Sequence, residues 1–171
     1  MIRNAVTLRP PRDEDVRVLA ALRNDLPTQY ALLADPRPNS DDDVRAWIAR
    51  RAGDPHALFV VIADDDDAAV GFMQIVSIDE KNRYGWFGIA IDAAHRGRGY
   101  GRRAIAELLD LARADGRLDK ILLYVDTANA DAWELYRSAG FRDVGIFRRH
   151  YRAPDGWHDV AAMELFLERP A

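Results

Sequence analysis

The middle of the chain, residues 84–125, constrains the fold most, because two apolar strands flank one long helix. Residues 84–91 are rich in aromatic and β-branched side chains, which favours a strand. Residues 99–114 carry apolar side chains at helical spacing, and residues 121–125 form a continuous apolar run typical of a strand buried on both faces. This order predicts a βαβ unit with parallel strands and a right-handed crossover.

Shorter elements flank this unit on both sides. Upstream, the sequence predicts a strand at 6–9, a helix at 13–24, a second helix after the N-cap Ser40, and strands at 57–63 and 69–78. Downstream, it predicts a helix at 129–139 and strands at 141–151 and 160–167. Hairpin-connected strands and crossover helices together predict an α/β fold with one mixed sheet covered by helices.

Length and composition exclude several classes of protein. The 171 residues fit a single domain, 1–171, and the apolar runs are far shorter than the ~20 residues of a membrane-spanning helix. The chain has no cysteine, and its four histidines lack ligand spacing, so we expect no metal site. A net charge of −4 argues against nucleic acid as a partner. With no export signal in the sequence, we expect a cytoplasmic protein.

A loop rich in glycine and arginine connects the first strand of the βαβ unit to its helix. Three alternating glycines and four arginines lie at 96–103, where backbone N–H groups and a helix N-terminus can hold an anion such as a pyrophosphate. A P-loop is excluded because Arg102 and Arg103, not Lys and Ser or Thr, follow Gly101. A dinucleotide fingerprint is excluded because Arg102 occupies the position of its third glycine. The alternative is a loop that only turns the chain.

Two motifs resemble those of one known family. Arg96-x-x-Gly99-x-Gly101, which follows Gly88-Ile89-Ala90-Ile91-Asp92, is similar to the acetyl-CoA pyrophosphate loop of the GCN5-related N-acetyltransferase (GNAT) family. Downstream, Val125-x-x-x-Asn129-x-x-Ala132-x-x-x-Tyr136-x-x-x-Gly140-Phe141 resembles the second signature of that family. The similarity covers about residues 70–166. It implies a GNAT-like fold, with a mixed, mostly antiparallel, twisted sheet of about seven strands and about four flanking helices.

The resemblance also implies a cosubstrate and a set of site residues. Acetyl-CoA would be the acyl donor. The backbone of Ile89, Ala90 and Ile91 would pair with its pantetheine arm. The pyrophosphate would be held by Arg96, Gly97, Arg98, Gly99, Tyr100, Gly101 and Arg102. On the next helix, Asn129 would contact the pantetheine arm, with Ala132 on the same helical face.

Tyr136 is the residue for which the resemblance implies catalysis. When an amine attacks a thioester, a thiolate must leave, and a phenol facing the sulfur can donate a proton to it as a general acid. With an ordinary pKa of ~10, the Tyr136 hydroxyl is protonated at neutral pH. The alternative is a core tyrosine whose hydroxyl finds any available acceptor.

The residue that deprotonates the amine is not identified by the sequence. Many family members carry a glutamate on the strand before the phosphate loop, whereas Tyr84-Gly85-Trp86-Phe87-Gly88-Ile89 contains no carboxylate. Glu80, Asp126 and His150 are candidates, and transfer through ordered water is an equal alternative.

The acceptor expected from the sequence is a primary amine of a small molecule. Arg148, Arg149 and Arg152 suit an anionic acceptor such as a nucleotide-linked amino sugar, whereas Asp79-Glu80 suit a polyamine; we rank the amino sugar slightly ahead. Two other functions remain open, namely a protein N-terminal acetyltransferase and an acyl-CoA-binding module without turnover. We expect no membrane partner, and a homodimer remains an option.

Overall fold

A computed structural model describes residues 5–167 of the chain. Seven strands form one sheet: β1 Thr7–Arg9, β2 Leu58–Ala63, β3 Ala69–Asp79, β4 Tyr84–Ile91, β5 Lys120–Asp126, β6 Arg142–Ala153 and β7 Gly156–Phe166. Five α-helices accompany them: α1 Val16–Asn24, α2 Leu26–Ala31, α3 Asp41–Ala52, α4 Tyr100–Asp115 and α5 Ala130–Ser138. Short 3₁₀ turns at Asp13–Asp15 and Ala93–His95 precede α1 and α4.

The sheet is mixed and mostly antiparallel. Its strand order is β1-β2-β3-β4-β5-β7-β6, and every described neighbouring pair is antiparallel except β4 and β5. The parallel pair is the one joined through α4, so the predicted βαβ unit is confirmed. The predicted fold class is confirmed with it.

Helices cover both faces of the sheet, and each face has its own core. Successive residues of a strand point to opposite faces, and in β3 Phe72 belongs to one core while Met73 belongs to the other. The Phe72 side packs against α1 and α3, and the Met73 side packs against α4 and α5. β3 is therefore buried on both sides. The run at 121–125 was predicted to be buried on both faces, and this is wrong: Tyr124 is 40% exposed, because no residue of β5 belongs to the core that packs against α1 and α3.

Capping residues determine where two of the helices begin. At α3, Ser40 Oγ accepts a hydrogen bond from the Asp43 backbone N–H at 3.2 Å, and Asp43 Oδ2 accepts one from the Ser40 N–H at 2.8 Å. This capping box satisfies two otherwise unpaired backbone donors. Left-handed glycines bound α4 at both ends, with φ of 81° at Gly99 and 73° at Gly116.

The structure corrects the predicted number of helices and the bounds of several elements. There are five described helices rather than about four, because α2 follows α1 directly. Pro27 lies in the first turn of α2, where its missing N–H costs nothing. Part of the predicted helix at 13–24 is a 3₁₀ turn, and β6 and β7 are longer than predicted because they pair with each other from the turn onward. Residues 1–4 and 168–171 of the predicted domain lie outside the described residues.

Candidate active site

The parallel strands β4 and β5 pair only at their beginnings. Their register runs from Tyr84–Lys120 to Trp86–Leu122 and then stops. Beyond that point β4 still pairs with β3 as far as Ile91, and β5 still pairs with β7 as far as Asp126. The facing edges of residues 87–91 and 123–126 therefore diverge. This leaves an opening at the carboxyl ends of the two strands, where α/β sheets bind ligands.

A cleft of about 630 Å³ occupies this opening. It is lined by residues from four regions, namely Thr28, Ala31 and Leu32 on and directly after α2; Ile89, Ala90 and Ile91 on β4; His95, Arg96, Gly97, Gly99, Tyr100, Gly101 and Arg102 around the start of α4; and Asn129, Asp131, Ala132, Leu135 and Tyr136 on and before α5. Of the predicted site residues, only Arg98 is not among them. The backbone carbonyl of Arg98 accepts a hydrogen bond from Arg103 Nη2 at 2.7 Å.

The glycines of the loop allow close approach to the backbone. Gly97 and Gly99 have φ of 72° and 81°, in the left-handed region that side chains disfavour. A Cβ on Gly101 would lie 3.2 Å from Leu135 Cδ2, so this glycine lets α4 pack tightly against α5. The loop therefore brings bare backbone and the positive end of α4 to the cleft wall, an arrangement that fits a phosphate group.

Arg96 joins the loop to both β4 and α2. Its Nε donates to the Ile91 carbonyl at 2.9 Å, and its Nη2 donates to Thr28 Oγ1 at 2.9 Å. Thr28 Oγ1 in turn donates to Asp25 Oδ2 at 2.5 Å. Sequence reasoning missed this contact because Thr28 lies 68 positions from Arg96 and on a helix that was not predicted.

Asn129 is the N-cap of α5. Its Oδ1 accepts a hydrogen bond from the Ala132 backbone N–H at 3.2 Å, and its own N–H donates to the Asp126 carbonyl at 2.9 Å. The side-chain oxygen thus starts the helix, and the side-chain amide group retains donors at the cleft wall.

Tyr136 lines the cleft from within an aromatic cluster. Its ring lies 5.9 Å from that of Phe87 and 6.0 Å from that of Phe141, and only 8% of the residue is exposed. Burial raises the pKa of Tyr136 to about 12 because the phenolate would lose its hydration. The hydroxyl therefore stays protonated across the neutral range.

Comparison with known proteins identifies the family. The model of the acetyltransferase (GNAT) family matches residues 19–141. The chain belongs to the GNAT family. This confirms the family and the classification as an acyltransferase, both of which the sequence predicted.

Named relatives of this GNAT protein act on different acceptors. The spermidine N(1)-acetyltransferase of Vibrio cholerae is 25% identical over 164 residues, which cover 96% of this chain and 94% of that protein. A crystal structure of the V. cholerae enzyme with CoA and spermine superimposes with a TM-score of 0.88 over 95% of both chains, at 25% identity. The N-alpha-acetyltransferase RimI of Mycobacterium tuberculosis is 50% identical over 64 residues, which are 37% of this chain and 38% of that protein. The chain therefore matches well under half of that relative's length.

None of the three candidate bases lines the cleft of this GNAT protein. Glu80 lies 3.6 Å from Arg117 Nη1, and His150 stacks on Phe147 with ring centroids 4.9 Å apart. Asp126 Oδ2 lies 2.5 Å from His158 Nδ1, and the Asp126 Oδ1 accepts from the Ala128 N–H. These contacts give each residue a structural partner.

His95 also lines the cleft, although the sequence predicts no role for it there. Its Nδ1 is 2.9 Å from Asp92 Oδ2, and its ring contacts Tyr100 edge-on. Its position directly before the loop at 96–103 is the sequence signal that could have placed it at the cleft. Within residues 5–167 there is no group of three or more metal-ligating side chains, and no helix there is long and apolar enough to cross a bilayer.

Proposed function

We propose that this GNAT protein transfers an acetyl group from acetyl-CoA to a primary amine of a small molecule, by direct attack of the amine on the thioester. The observation that carries the proposal is the cleft where β4 and β5 diverge, because an anion-binding loop and a buried tyrosine line the same space.

The cleft residues suit the parts of acetyl-CoA in turn. The backbone N–H groups of Gly97, Gly99 and Gly101 at the start of α4 would hold the diphosphate, with Arg102 adding positive charge. The free edge of Ile89, Ala90 and Ile91 would pair with the pantetheine amides as a further strand does. Asn129 would donate its side-chain amide to the same arm. Acetyl-CoA itself would supply the activated acetyl group.

Tyr136 would provide the proton for the departing sulfur. The neutral amine nitrogen bonds to the acetyl carbon and gives up one proton to water, the carbon–sulfur bond breaks, and the sulfur takes the proton of Tyr136 Oη. A pKa of about 12 is compatible with this role, because the phenol carries its proton at neutral pH. Solvent would then return a proton to the phenol.

The acceptor is a small amine in this proposal, and the two classes expected from the sequence are amino sugars and polyamines. The full-length similarity to a spermidine acetyltransferase supports a small amine. The charged residues used to choose between the two classes do not line the cleft: Arg148 pairs with Asp159 at 2.6 Å, and Asp79 binds Asn82 at 2.7 Å. A protein N-terminus is the second candidate, favoured by the local similarity to RimI.

The test is thiol release from acetyl-CoA in the presence of a panel of amines that contains spermidine, glucosamine and a short peptide with a free N-terminus. We expect at least one small amine to accelerate release well above the rate without acceptor. Fastest turnover of the peptide would favour the second candidate. Acetyl-CoA binding with no acceleration by any amine would leave only a binding module.

A further inference from the structure

A second cavity, of about 260 Å³, lies next to the cleft between β4 and β5, on the side of α1. It lies between the end of α1, α2, the loop after α2 and β3, and it is lined by Leu22, Arg23, Gln29, Leu32, Ala34, Asp35, Arg37 and Phe72. Leu32 lines both cavities, and Phe72 is the register partner of the cleft residue Ala90. The two cavities are therefore neighbours, with Leu32 between them.

Hydrogen bonds hold the walls of this cavity in place. Asn24 and Asn39 bond reciprocally at 2.9 and 2.8 Å, which ties the loop before α3 to the end of α1. The Arg37 backbone N–H donates to Gln29 Oε1 at 2.9 Å, and Tyr151 Oη donates to the Ala34 carbonyl at 2.7 Å. The backbone that carries the arginines is thus fixed by three separate elements.

Arg23 is the central cation of this cavity. Its guanidinium group lies 4.4 Å from the centre of the Trp47 ring, and its Nη2 donates to Asn39 Oδ1 at 3.1 Å. Its Nε is buried and has no hydrogen-bond partner among residues 5–167. A buried donor without a partner is costly. The guanidinium group donates to Asn39 through Nη2, so its terminal nitrogens retain N–H groups that can bind an anion.

The surroundings of Arg23 add to the positive charge. Burial lowers the pKa of Arg23 below its ordinary value, and the nearby charges of Arg37, Arg50 and Arg51 lower it further. In the part of the chain that the structure describes, no carboxylate forms an ion pair with any of these four arginines.

Two carboxylates oppose this charge without cancelling it. Asp35 lines the cavity and is exposed, and Asp43 lies near Arg23 but is engaged by Ser40. The lining itself holds two guanidinium groups, Arg23 and Arg37, and one carboxylate, Asp35, which leaves an excess of one positive charge. This excess stands out in a chain whose net charge is −4, and a concave positive surface concentrates anions.

We propose that this cavity binds an anionic group, a phosphate or a carboxylate, carried by the amine acceptor, with Arg23 and Arg37 as its ligands. The inference rests on the proposed function and narrows its substrate class to primary amines that bear an anion. Guanidinium groups match phosphate and carboxylate oxygens with paired N–H donors, and they repel the second ammonium of a polyamine.

The test compares acceptors that differ in the anion. One pair is glucosamine 6-phosphate against glucosamine, and the other is 4-aminobutyrate against putrescine. Because one charge-assisted contact changes affinity by about tenfold or more, we expect kcat/KM from thiol release to favour the anionic member of at least one pair by that factor. The phosphate pair and the carboxylate pair distinguish the two anions.

Single arginine substitutions test which residues cause the preference for anionic acceptors. Arg23→Gln and Arg37→Gln should each reduce the preference for the anionic member by about tenfold, whereas the matched control Arg17→Gln, which removes an exposed charge from the same helix as Arg23, should not. Arg37 is exposed and has no core contact to lose, so this variant remains informative if Arg23→Gln is unstable.

Calorimetric titration of glucosamine 6-phosphate and 4-aminobutyrate into the protein without acetyl-CoA separates the two proposals. Binding that Arg37→Gln weakens supports the anion site even if no amine is acetylated, and in that case only the proposed function fails. The anion site is overturned if neither anionic amine binds, if putrescine and glucosamine are the better acceptors, or if both variants behave as Arg17→Gln does.

Discussion

Tyr136 combines two properties that are often separate, burial in an aromatic cluster and a position on the cleft wall. Burial raises the pKa of the phenol, and in the proposed reaction the cleft would give the hydroxyl access to a bound thioester. The proposed chemistry therefore depends on one phenolic oxygen, which can be removed while the ring remains.

Tyr136→Phe keeps the ring contacts with Phe87 and Phe141 and removes only the proton donor. Loss of one general acid should lower kcat by about 10²–10⁴-fold with little change in KM. Steady-state kinetics of thiol release measures both constants. Equal kcat values for the variant and the parent would exclude Tyr136 from proton transfer.

The burial of the Tyr136 phenol also predicts that the folded protein loses stability at alkaline pH. Its pKa is raised from about 10 in the unfolded chain to about 12 in the folded protein, so the unfolded state loses this proton first. The resulting stabilisation is complete below pH ~10 and is lost as the pH rises towards ~12. Denaturant unfolding should thus show the parent losing more stability than Tyr136→Phe over that interval, and parallel losses would contradict the raised pKa.

At the level of single residues, the sequence predicts the cleft well wherever a motif fixes the spacing. All the predicted site residues except Arg98 line one cleft. The contacts of Arg96 with Thr28, and the position of Leu32 between two cavities, could not be predicted, since they join segments far apart in sequence. The general base stays unidentified because no motif specifies it.

Among the elements, α4 offers the sharpest comparison, because a left-handed glycine lies at each end of it. Gly99 has φ of 81° and lines the cleft, whereas Gly116 has φ of 73° at the far end and a Cβ there would meet no atom within 4 Å. Both glycines adopt a left-handed backbone, but only Gly99 faces the proposed diphosphate.

Gly99→Val and Gly116→Val should destabilise the protein to similar degrees, by about 1–3 kcal/mol each, because valine strains a left-handed backbone. Only Gly99→Val should also lose acetyl-CoA binding. Thermal unfolding and calorimetry check the two parts. If both variants bound acetyl-CoA as the parent does, the loop would not be the binding site.

Elements with strong periodicity were predicted closely, and the failures have physical causes. β4 was predicted with its observed bounds. The helix α2 was not predicted, because a proline usually ends a helix and only the structure shows that Pro27 lies in the first turn of one. The divergence of β4 from β5 follows from how each strand pairs with its other neighbour, which no local pattern encodes.

For the whole molecule, a buried ion pair joins the edge of the sheet to the 3₁₀ turn that precedes α1. Arg9 on β1 binds both oxygens of Asp15 at 2.8 Å, and its Nε donates to Asp67 at 2.8 Å. Arg9 is 7% and Asp15 2% exposed. Burial would raise the pKa of Asp15, but the hydrogen bonds from Arg9 and from the Arg12 backbone outweigh it and lower the pKa.

Asp15→Asn should cost about 3 kcal/mol of unfolding free energy, because the variant leaves Arg9 buried with only part of its compensation from Asp67. The exposed Glu107→Gln is the control and should be neutral. Since the stabilisation by a carboxylate with a lowered pKa is lost below its unfolded value of ~3.9, the difference between parent and variant should shrink at more acidic pH. Urea unfolding at pH 7 and pH 3 measures it, and an equal cost at both would refute the charge-based explanation.

The overall architecture was predictable because the βαβ unit and two separated motifs each point to the same sheet. The buried ion pair between Arg9 and Asp15 was not predictable, since charged residues are more often solvated than buried. The sequence therefore predicted the central part of the fold better than its edge.

The central claim is that the loop at the start of α4 holds the diphosphate of acetyl-CoA in the cleft between β4 and β5. A crystal structure of the protein with coenzyme A tests it most directly. We predict the diphosphate against the backbone N–H groups of Gly97, Gly99 and Gly101, with the sulfur beside Tyr136 Oη. Coenzyme A bound elsewhere, or a sulfur out of reach of Tyr136, would contradict the account.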